Sequence, residues 1–315
     1  MSHSDIHSHS HAGHAHSHAL DPDADRRRLT LALCLILGLM AVEVVVGIAG
    51  HSLALLADAA HMLTDAGALG LSLWVIRLIA RPPVGNFTFG LRRSEVLSAQ
   101  ANGFTLLVLS GLVIYEGIAR LIHPPQPSGA AMLAVALLGV VVNLLATRQV
   151  ARANRDSMNI EGSYQHLLTD LFAFAATGVA GGVILATGWT RADGIAALLV
   201  AAVMLRAAYG LLRASGRVLL EAAPAGMNPP EIGQAMANHP GVSEVHDLHV
   251  WEVGSGFPSL SAHVLVASGD DCHGIRRSLE QMLHDQFGID HTTLQVEHRA
   301  PEVVAIQHRL PPATR

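Results

Sequence analysis

Residues 53–78 read LALLADAAHMLTDAGALGLSLWVIRL, and residues 164–187 read YQHLLTDLFAFAATGVAGGVILAT. Each run is long enough to cross ~30 Å of hydrocarbon as an α-helix, at about 1.5 Å per residue. Each nevertheless carries ionisable side chains: Asp58, His61 and Asp65 in the first, His166 and Asp170 in the second. A carboxylate in a bilayer core costs on the order of 3 kcal/mol by insertion scales, and is tolerated where it pairs, meets water or binds an ion. His61 and Asp65 are spaced as i and i+4, and so are His166 and Asp170. Such positions share a helix face, about 5–6 Å apart at Cβ. Each helix therefore presents one imidazole and one carboxylate in the same direction. Packed face to face, the two helices offer two nitrogens and two oxygens, the ligand set and number of tetrahedral zinc. Two aspartates and two neutral histidines also cancel the charge of a divalent cation. Asp58 lies on the same broad face but has no counterpart in the second run. It reads as a pathway residue or a neighbour of the ligands.

The rest of the chain agrees with a membrane setting. Of 315 residues, 50% are hydrophobic and 14% charged, against about 25% charged in soluble domains. Mean hydropathy is +0.38. Six apolar segments fall at 29–49, 53–78, 97–122, 130–150, 164–187 and 192–213. All 20 basic residues are arginine. They cluster at Arg26–Arg28, in the 77–93 loop, in the 148–155 loop and at Arg213 and Arg217, which all fall on one side of a six-span arrangement. The positive-inside rule puts that side, with both termini, in the cytoplasm, and the cell (inner) membrane is the expected location. The net charge of -5 gives no basic excess for nucleic acid. Two cysteines, Cys34 and Cys272, exclude a disulfide framework and a four-cysteine zinc site. No G-x-x-x-x-G-K-S/T occurs, which disfavours nucleotide-driven pumping. Of the other polar residues in apolar segments, Glu43, Asn102, Glu116 and Asn143 read as interhelical hydrogen-bonding groups rather than cavity lining.

The ends differ from the middle. Seven histidines (His3, His7, His9, His11, His14, His16 and His18) lie among Ser, Ala and Gly in the first 20 residues. Residues 1–25 are expected to be a disordered cytoplasmic tail that gathers metal, followed by a transport domain over 26–215. From Glu221 onward there are 12 acids and 5 arginines, a net of -7. Residues 216–300 are expected to be a cytoplasmic α+β domain in the order αββαβ, ferredoxin-like. Its helices are placed at 230–238 and 271–287 and its strands at 243–253, 259–267 and 292–297, with 301–315 a disordered tail. The order suits a three-stranded sheet with both helices on one face.

Ser52 to Ala66, with His61 and Asp65, closely resembles the second-helix signature of the cation diffusion facilitator family, and Ser163-Tyr-Gln-His166-Leu-Leu-Thr-Asp170 its fifth-helix counterpart. Phe87 to Glu95 resembles the segment leading into the third helix. The resemblance runs from about residue 30 to 298. It implies a homodimeric exporter of zinc and related divalent metals, coupled to proton antiport through alternating access. Some relatives hold a second site in the loop after the second helix, but residues 77–90 here contain no His, Asp or Glu, so none is expected. The segments Val245-His246-Asp-Leu-His249-Val-Trp251 and Leu260-Ser-Ala-His263-Val resemble the family's cytoplasmic domain. By motif, its metal ligands map onto His246, His263 and Glu297. Period-2 alternation puts His246 and His249 on opposite strand faces, so they are not expected to share an ion. Asp270, Asp271 and His273 are additional candidates, and Cys272 reads as a bystander.

The expected function is export of Zn²⁺, with Cd²⁺, Co²⁺ or Ni²⁺ as further cargo, in exchange for protons. Imidazole binds metal only when neutral, so protonation and metal compete, and a reference pKa of about 6.5 suits that exchange. Zn²⁺ is both cargo and cytoplasmic regulatory ion in this reading, with no organic cofactor and no enzymatic activity. The alternatives are a membrane metal sensor or storage protein, and an intramembrane zinc protease. The protease would need an H-E-x-x-H set with an open position, which His61-Met-Leu-Thr-Asp65 lacks.

Overall fold

The computed structural model describes residues 22–49, 53–124 and 129–299; the side chains of residues 53–61 and 64, and of a few positions in the first and fourth helices, lie outside that description. Six long helices come first: α1 (Pro22–Ala49), α2 (Leu53–Ile79), α3 (Ser94–Ile122), α4 (Gly129–Ala151), α5 (Met158–Thr187) and α6 (Arg191–Leu219). Large apolar side chains point outward along them: Val108, Leu112, Val141, Phe172, Val179 and Leu199 are all exposed. A helical domain with an apolar exterior is matched to lipid, where the helix supplies every backbone hydrogen bond internally. Among the described residues, four helices are long and apolar enough to cross a membrane: Ser94–Ile122, Met132–Ala151, Met158–Thr187 and Arg191–Leu219. The protein is an integral membrane protein.

α1, α2, α4 and α5 share one core built on Leu29, Ile36, Met62, Leu69, Val150 and Leu167. α3 and α6 pair around Leu106, Met204 and Leu211, with Ala173 and Ala176 of α5 against them. α5 therefore touches both groups. The α3–α6 crossing is close at Gly117 and Gly194: a Cβ on Gly194 would lie 3.0 Å from the Gly117 carbonyl oxygen. That approach brings Arg120 within 2.5 Å of the buried Asp193 carboxylate, while its other amino group meets Glu116.

Several boundaries differ from expectation: α6 runs to Leu219 rather than 213, and α3 starts at Ser94 rather than 97. Residues 22–25, placed in the disordered tail, form the first turn of α1; the buried Asp25 carboxylate fixes it by accepting from Asn154 N at 3.1 Å and Arg28 at 3.2 Å. α5 starts at Met158 rather than 164, after the extended residue Ser157. Its polar first turns, Asn159 and Ser163, are buried, whereas polarity on its own reads as loop. The His-rich residues 1–21 and the tail 300–315 lie outside the described residues.

The C-terminal domain follows as α7 (Pro229–Ala237), β1 (Val242–Glu252), β2 (Pro258–Val266), α8 (Cys272–Phe287) and β3 (His291–His298). Pro229 and Pro230 start α7, where a missing N–H costs nothing. The Asp271 side chain caps α8 by accepting from Gly274 N at 3.0 Å, and Gly288, at φ 65°, ends it. The sheet order is β1-β2-β3, with β1 antiparallel and β3 parallel to β2. It is a hairpin extended by one βαβ crossover. Ile232 and Met236 of α7 and Leu279 and Leu283 of α8 share one core with Leu260, Ala262, Val264 and Val266 of β2. Alternation then leaves Ser261 and His263 on the opposite, helix-free face.

The hairpin turn docks on the helical domain. Glu95, 6% exposed at the start of α3, accepts from Ser255 N at 2.5 Å and from Ser157 Oγ at 3.0 Å. Ser255 Oγ in turn accepts from Met158 N at 3.0 Å. Arg92 lies over the Phe257 ring at 4.5 Å, and His291 packs against Phe89 and Phe257. The approach is tight at Gly254, where a Cβ would lie 3.2 Å from the Arg92 Cβ and 3.0 Å from Glu95 Oε1. Nearby, burial raises the Glu252 carboxyl above its ordinary range; the Gly256 N–H it accepts opposes this, and the Glu95 charge adds to it. Glu95→Ala is expected to leave both domains folded but to release the turn. Amide exchange at Ser255 and Gly256 should quicken by roughly tenfold, the scale of one charge-assisted hydrogen bond. Equal protection in both proteins would show that the docking does not depend on this carboxylate.

Candidate metal centre

α2 and α5 bring three ionisable side chains to one point. Asp65 is 4% exposed, His166 2% and Asp170 7%. His166 Nε2 lies 2.7 Å from Asp65 Oδ1 and 3.9 Å from Asp170 Oδ2. One ligand atom from each residue lies within 4.8 Å of the others, and among the described residues no other group of three or more does so. His166 and Asp170 stack because they are one helical turn apart, and the neighbouring α2 helix supplies Asp65 from across the gap. With the imidazole neutral, two carboxylates against one divalent ion balance to zero, which is the condition for burying charge in apolar surroundings. His166 Nδ1 has no hydrogen-bond partner among the described residues.

His61 and Asp58 belong to α2 by backbone, but their side chains lie outside the described residues. The same holds for Glu43 of α1. Glu116 pairs with Arg120 on its own helix. Asn102 and Asn143 are 2% exposed, and each keeps one polar atom without a partner among the described residues. The sequence reading missed Ser72, Asn159 and Ser163, which join α2 to α5 on the side of the centre nearest the small domain. Their signal was present as the i, i+4, i+7 polar stripe of Asn159, Ser163 and His166.

In the cytoplasmic domain, His246 and His263 are register partners across β1 and β2, with ring centroids 5.3 Å apart. The expected separation of His246 and His249 onto opposite faces is corrected by a β-bulge. His246 pairs with His263 and His249 with Ser261, so β1 spends one extra residue, and Asp247 takes φ 52°. A bulge restores facing for the residues beyond it. Both histidines therefore lie on the helix-free face, and Asp247 stands between rings, 2.9 Å from His249 and 3.8 Å from His263. Glu297 is opposite Leu265 on β3 and hydrogen-bonded by Gln295. Asp271 is committed to capping α8, and Cys272 packs against the domain core.

A helical domain with a buried group of two carboxylates and an imidazole between α2 and α5, followed by a small mixed-sheet domain, defines a membrane protein of the metal-handling class. The chain belongs to the cation efflux family: residues 29–220 match the cation efflux transmembrane domain and residues 224–299 the cation efflux protein cytoplasmic domain. It is 38% identical over 264 residues to the zinc transporter ZitB of Shigella flexneri, covering 83% of this chain and 84% of that one. It is 37% identical over 261 residues to the metal cation efflux system protein CzcD of Cupriavidus metallidurans, covering 82% of each. A cadmium, cobalt and zinc/H(+)-K(+) antiporter of Bacillus velezensis is 34% identical over 268 residues, covering 84% of this chain and 85% of its own.

Asp247 and His249 share the helix-free face with His246 and His263. Asp247→Ala and His249→Ala are each expected to weaken Zn²⁺ binding to the cytoplasmic domain by roughly tenfold, the scale of losing a ligand or the group that orients one. Calorimetric titration measures this. Unchanged affinity in the His249 variant would return the site to His246, His263 and Glu297 alone.

Proposed function

We propose that the protein exports Zn²⁺ from the cytoplasm in exchange for protons by alternating access, with Cd²⁺, Co²⁺ and Ni²⁺ as further cargo. The observation that carries this reading is the buried Asp65–His166–Asp170 group, three ligand atoms from two helices within 4.8 Å. His61, one turn before Asp65 on α2, is the fourth ligand in this proposal, and Asp58 lies on the approach. The transporters and antiporters among the relatives support the same cargo and coupling. Two nitrogens and two oxygens favour borderline-soft cations over Mg²⁺ and Ca²⁺, which take oxygen ligands in larger number. A closed four-ligand set leaves no open position for a reacting water, which separates transport from metal-assisted hydrolysis. Protons enter because each imidazole must lose one before it binds metal.

In the wider reading, all six long helices cross the cell (inner) membrane, and the arginine-rich loops and both termini are cytoplasmic. The transport domain takes residues 26–215 and the cytoplasmic domain 216–300; that domain is ferredoxin-like in its element order. It pairs with a second copy in a homodimer, and Zn²⁺ at His246, His263 and Glu297 regulates that pairing by offsetting its negative charge. The His-rich N-terminal tail gathers metal near the cytoplasmic face.

Asp65→Ala and Asp170→Ala are each expected to reduce Zn²⁺ flux in sealed vesicles to background while the protein stays folded, since each leaves the cation charge uncompensated. Near-normal flux in either variant would dismiss the centre. His61→Asp is expected to broaden the accepted metals. It replaces a ligand with a reference pKa of about 6.5 by one of about 3.9. Fewer protons are then displaced near neutrality, and the slope of log affinity against pH between about 5.5 and 7.5 becomes shallower. Titration at several pH values checks this, and an unchanged slope would mean that His61 is not an exchanging group.

A further inference from the structure

On the side of the metal centre nearest the cytoplasmic domain, α2, α3 and α5 meet on small polar side chains where an apolar seam would pack at less cost. Ser72 lies two turns beyond Asp65 on α2, and Asn159 lies two turns before His166 on α5, so both stand on the faces that carry the ligands. Ser72 and Asn159 are 0% exposed and Ser163 is 1%. The hydroxyls of Ser72 and Ser163 are 2.6 Å apart, and Asn159 Nδ2 donates to the Ser72 carbonyl oxygen at 3.0 Å. Ser163 Oγ also reaches the Asn159 carbonyl oxygen at 3.2 Å. α3 adds the buried Ser98 and Asn102. Asn102 lies against α5, since a Cβ on Gly162 would be 3.2 Å from Asn102 Nδ2.

Three polar atoms of this column have no hydrogen-bond partner among the described residues: Ser98 Oγ, Asn102 Nδ2 and Asn159 Oδ1. Buried polar groups are paired as a rule, and leaving them unpaired is costly. That cost is relieved in a state where water or a hydrated cation reaches them. The two interhelical bonds are neutral, so opening exchanges them for bonds to water at little net cost.

We propose that Ser72, Asn159 and Ser163 form the cytoplasmic gate, and that with Ser98 and Asn102 they line the access route of a hydrated divalent cation once the gate is open. Closed, their bonds hold α2 to α5 below the ligands. Open, they present neutral oxygens, which replace hydration water without holding the ion, the balance that conduction requires. The gate rests on the reading of Asp65, His166 and Asp170 as the transport site.

The test places cysteines at the two touching hydroxyls, Ser72→Cys with Ser163→Cys, in a chain carrying Cys34→Ser and Cys272→Ser. The full chain is reconstituted in vesicles with its cytoplasmic side outward and exposed to a water-soluble carbodiimide, with modification of Asp65 and Asp170 followed by mass spectrometry. Oxidation to the disulfide is expected to slow modification by about tenfold or more, as for a closed local opening, and reduction to restore it. Equal rates in the oxidised and reduced states overturn the gate. A second variant needs no cross-link: Asn159→Ala removes the amide bond to Ser72 and is expected to speed modification severalfold, and an unchanged or slower rate also overturns it. Zn²⁺ flux in the same reduced vesicles reads the transport function separately. A labelling contrast without flux would remove the transport reading and leave this seam only as the barrier over the buried carboxylates, and flux without contrast would keep transport and overturn the gate.

Discussion

The contact between His166 Nε2 and Asp65 Oδ1, at 2.7 Å and almost wholly out of solvent, sets the terms for the rest of the helical domain. Neither group can be charged alone in apolar surroundings, so two separate helices must meet where their side chains meet. The surrounding packing delivers that meeting. Met62 and Leu69 flank Asp65 on α2, Leu167 follows His166 on α5, and all three belong to the core shared with α1 and α4. The hydrophobic effect gives little reason for helices to associate in lipid. Close fit and polar contacts must hold them instead, and here the polar contact is that of Asp65 with His166.

α5 runs from the docking contact with the small domain to the buried Asp65–His166–Asp170 group. Its first residue bonds to the Ser255 hydroxyl of the cytoplasmic domain, its next turns carry Asn159 and Ser163, and the centre follows at His166 and Asp170. Further on, Ala173 and Ala176 pack against the α3–α6 pair. Glu95 stands at the junction, joining the start of α3, the start of α5 and the hairpin turn through one buried carboxylate. The ion pair between Arg93 and Glu221 nearby is exposed, at 3.2 Å, and surface pairs of that kind contribute about 0–1 kcal/mol. The buried carboxylate is the stronger tie.

Local spacing was legible in the sequence, and long-range facing was not. The i, i+4 pairing of His166 with Asp170 follows from helix geometry, and the αββαβ order follows from turn and cap residues such as Pro229, Asp271 and Gly288. Period-2 reasoning failed at one point, Asp247, because a non-glycine residue at φ 52° leaves no pattern to read. One extra residue there reverses the facing assigned to His249. α5 was read too short for a related reason. Asn159 and Ser163 look like loop residues when burial is inferred from polarity, yet they are buried because their partners come from α2. That Asp65 comes from α2 to meet His166 was expected from paired motifs, but the distances depend on packing that no single segment contains.

The unbroken helical run from Met158 to His166 also has a mechanical meaning. Eight residues at about 1.5 Å each make a stiff rod of about 12 Å, so a tilt of about ten degrees pivoting at His166 swings its far end by about 2 Å. That end is the one fastened to the hairpin turn by Glu95 and Ser255. Read in reverse, an ångström-scale shift of the small domain becomes an angular change at the histidine, with a lever ratio fixed by chain length alone. Lengthening or shortening this stretch by one residue would alter the ratio little. It would, however, rotate His166 and Asp170 about the axis by about 100° relative to the fastening, because each residue of an α-helix advances by that angle.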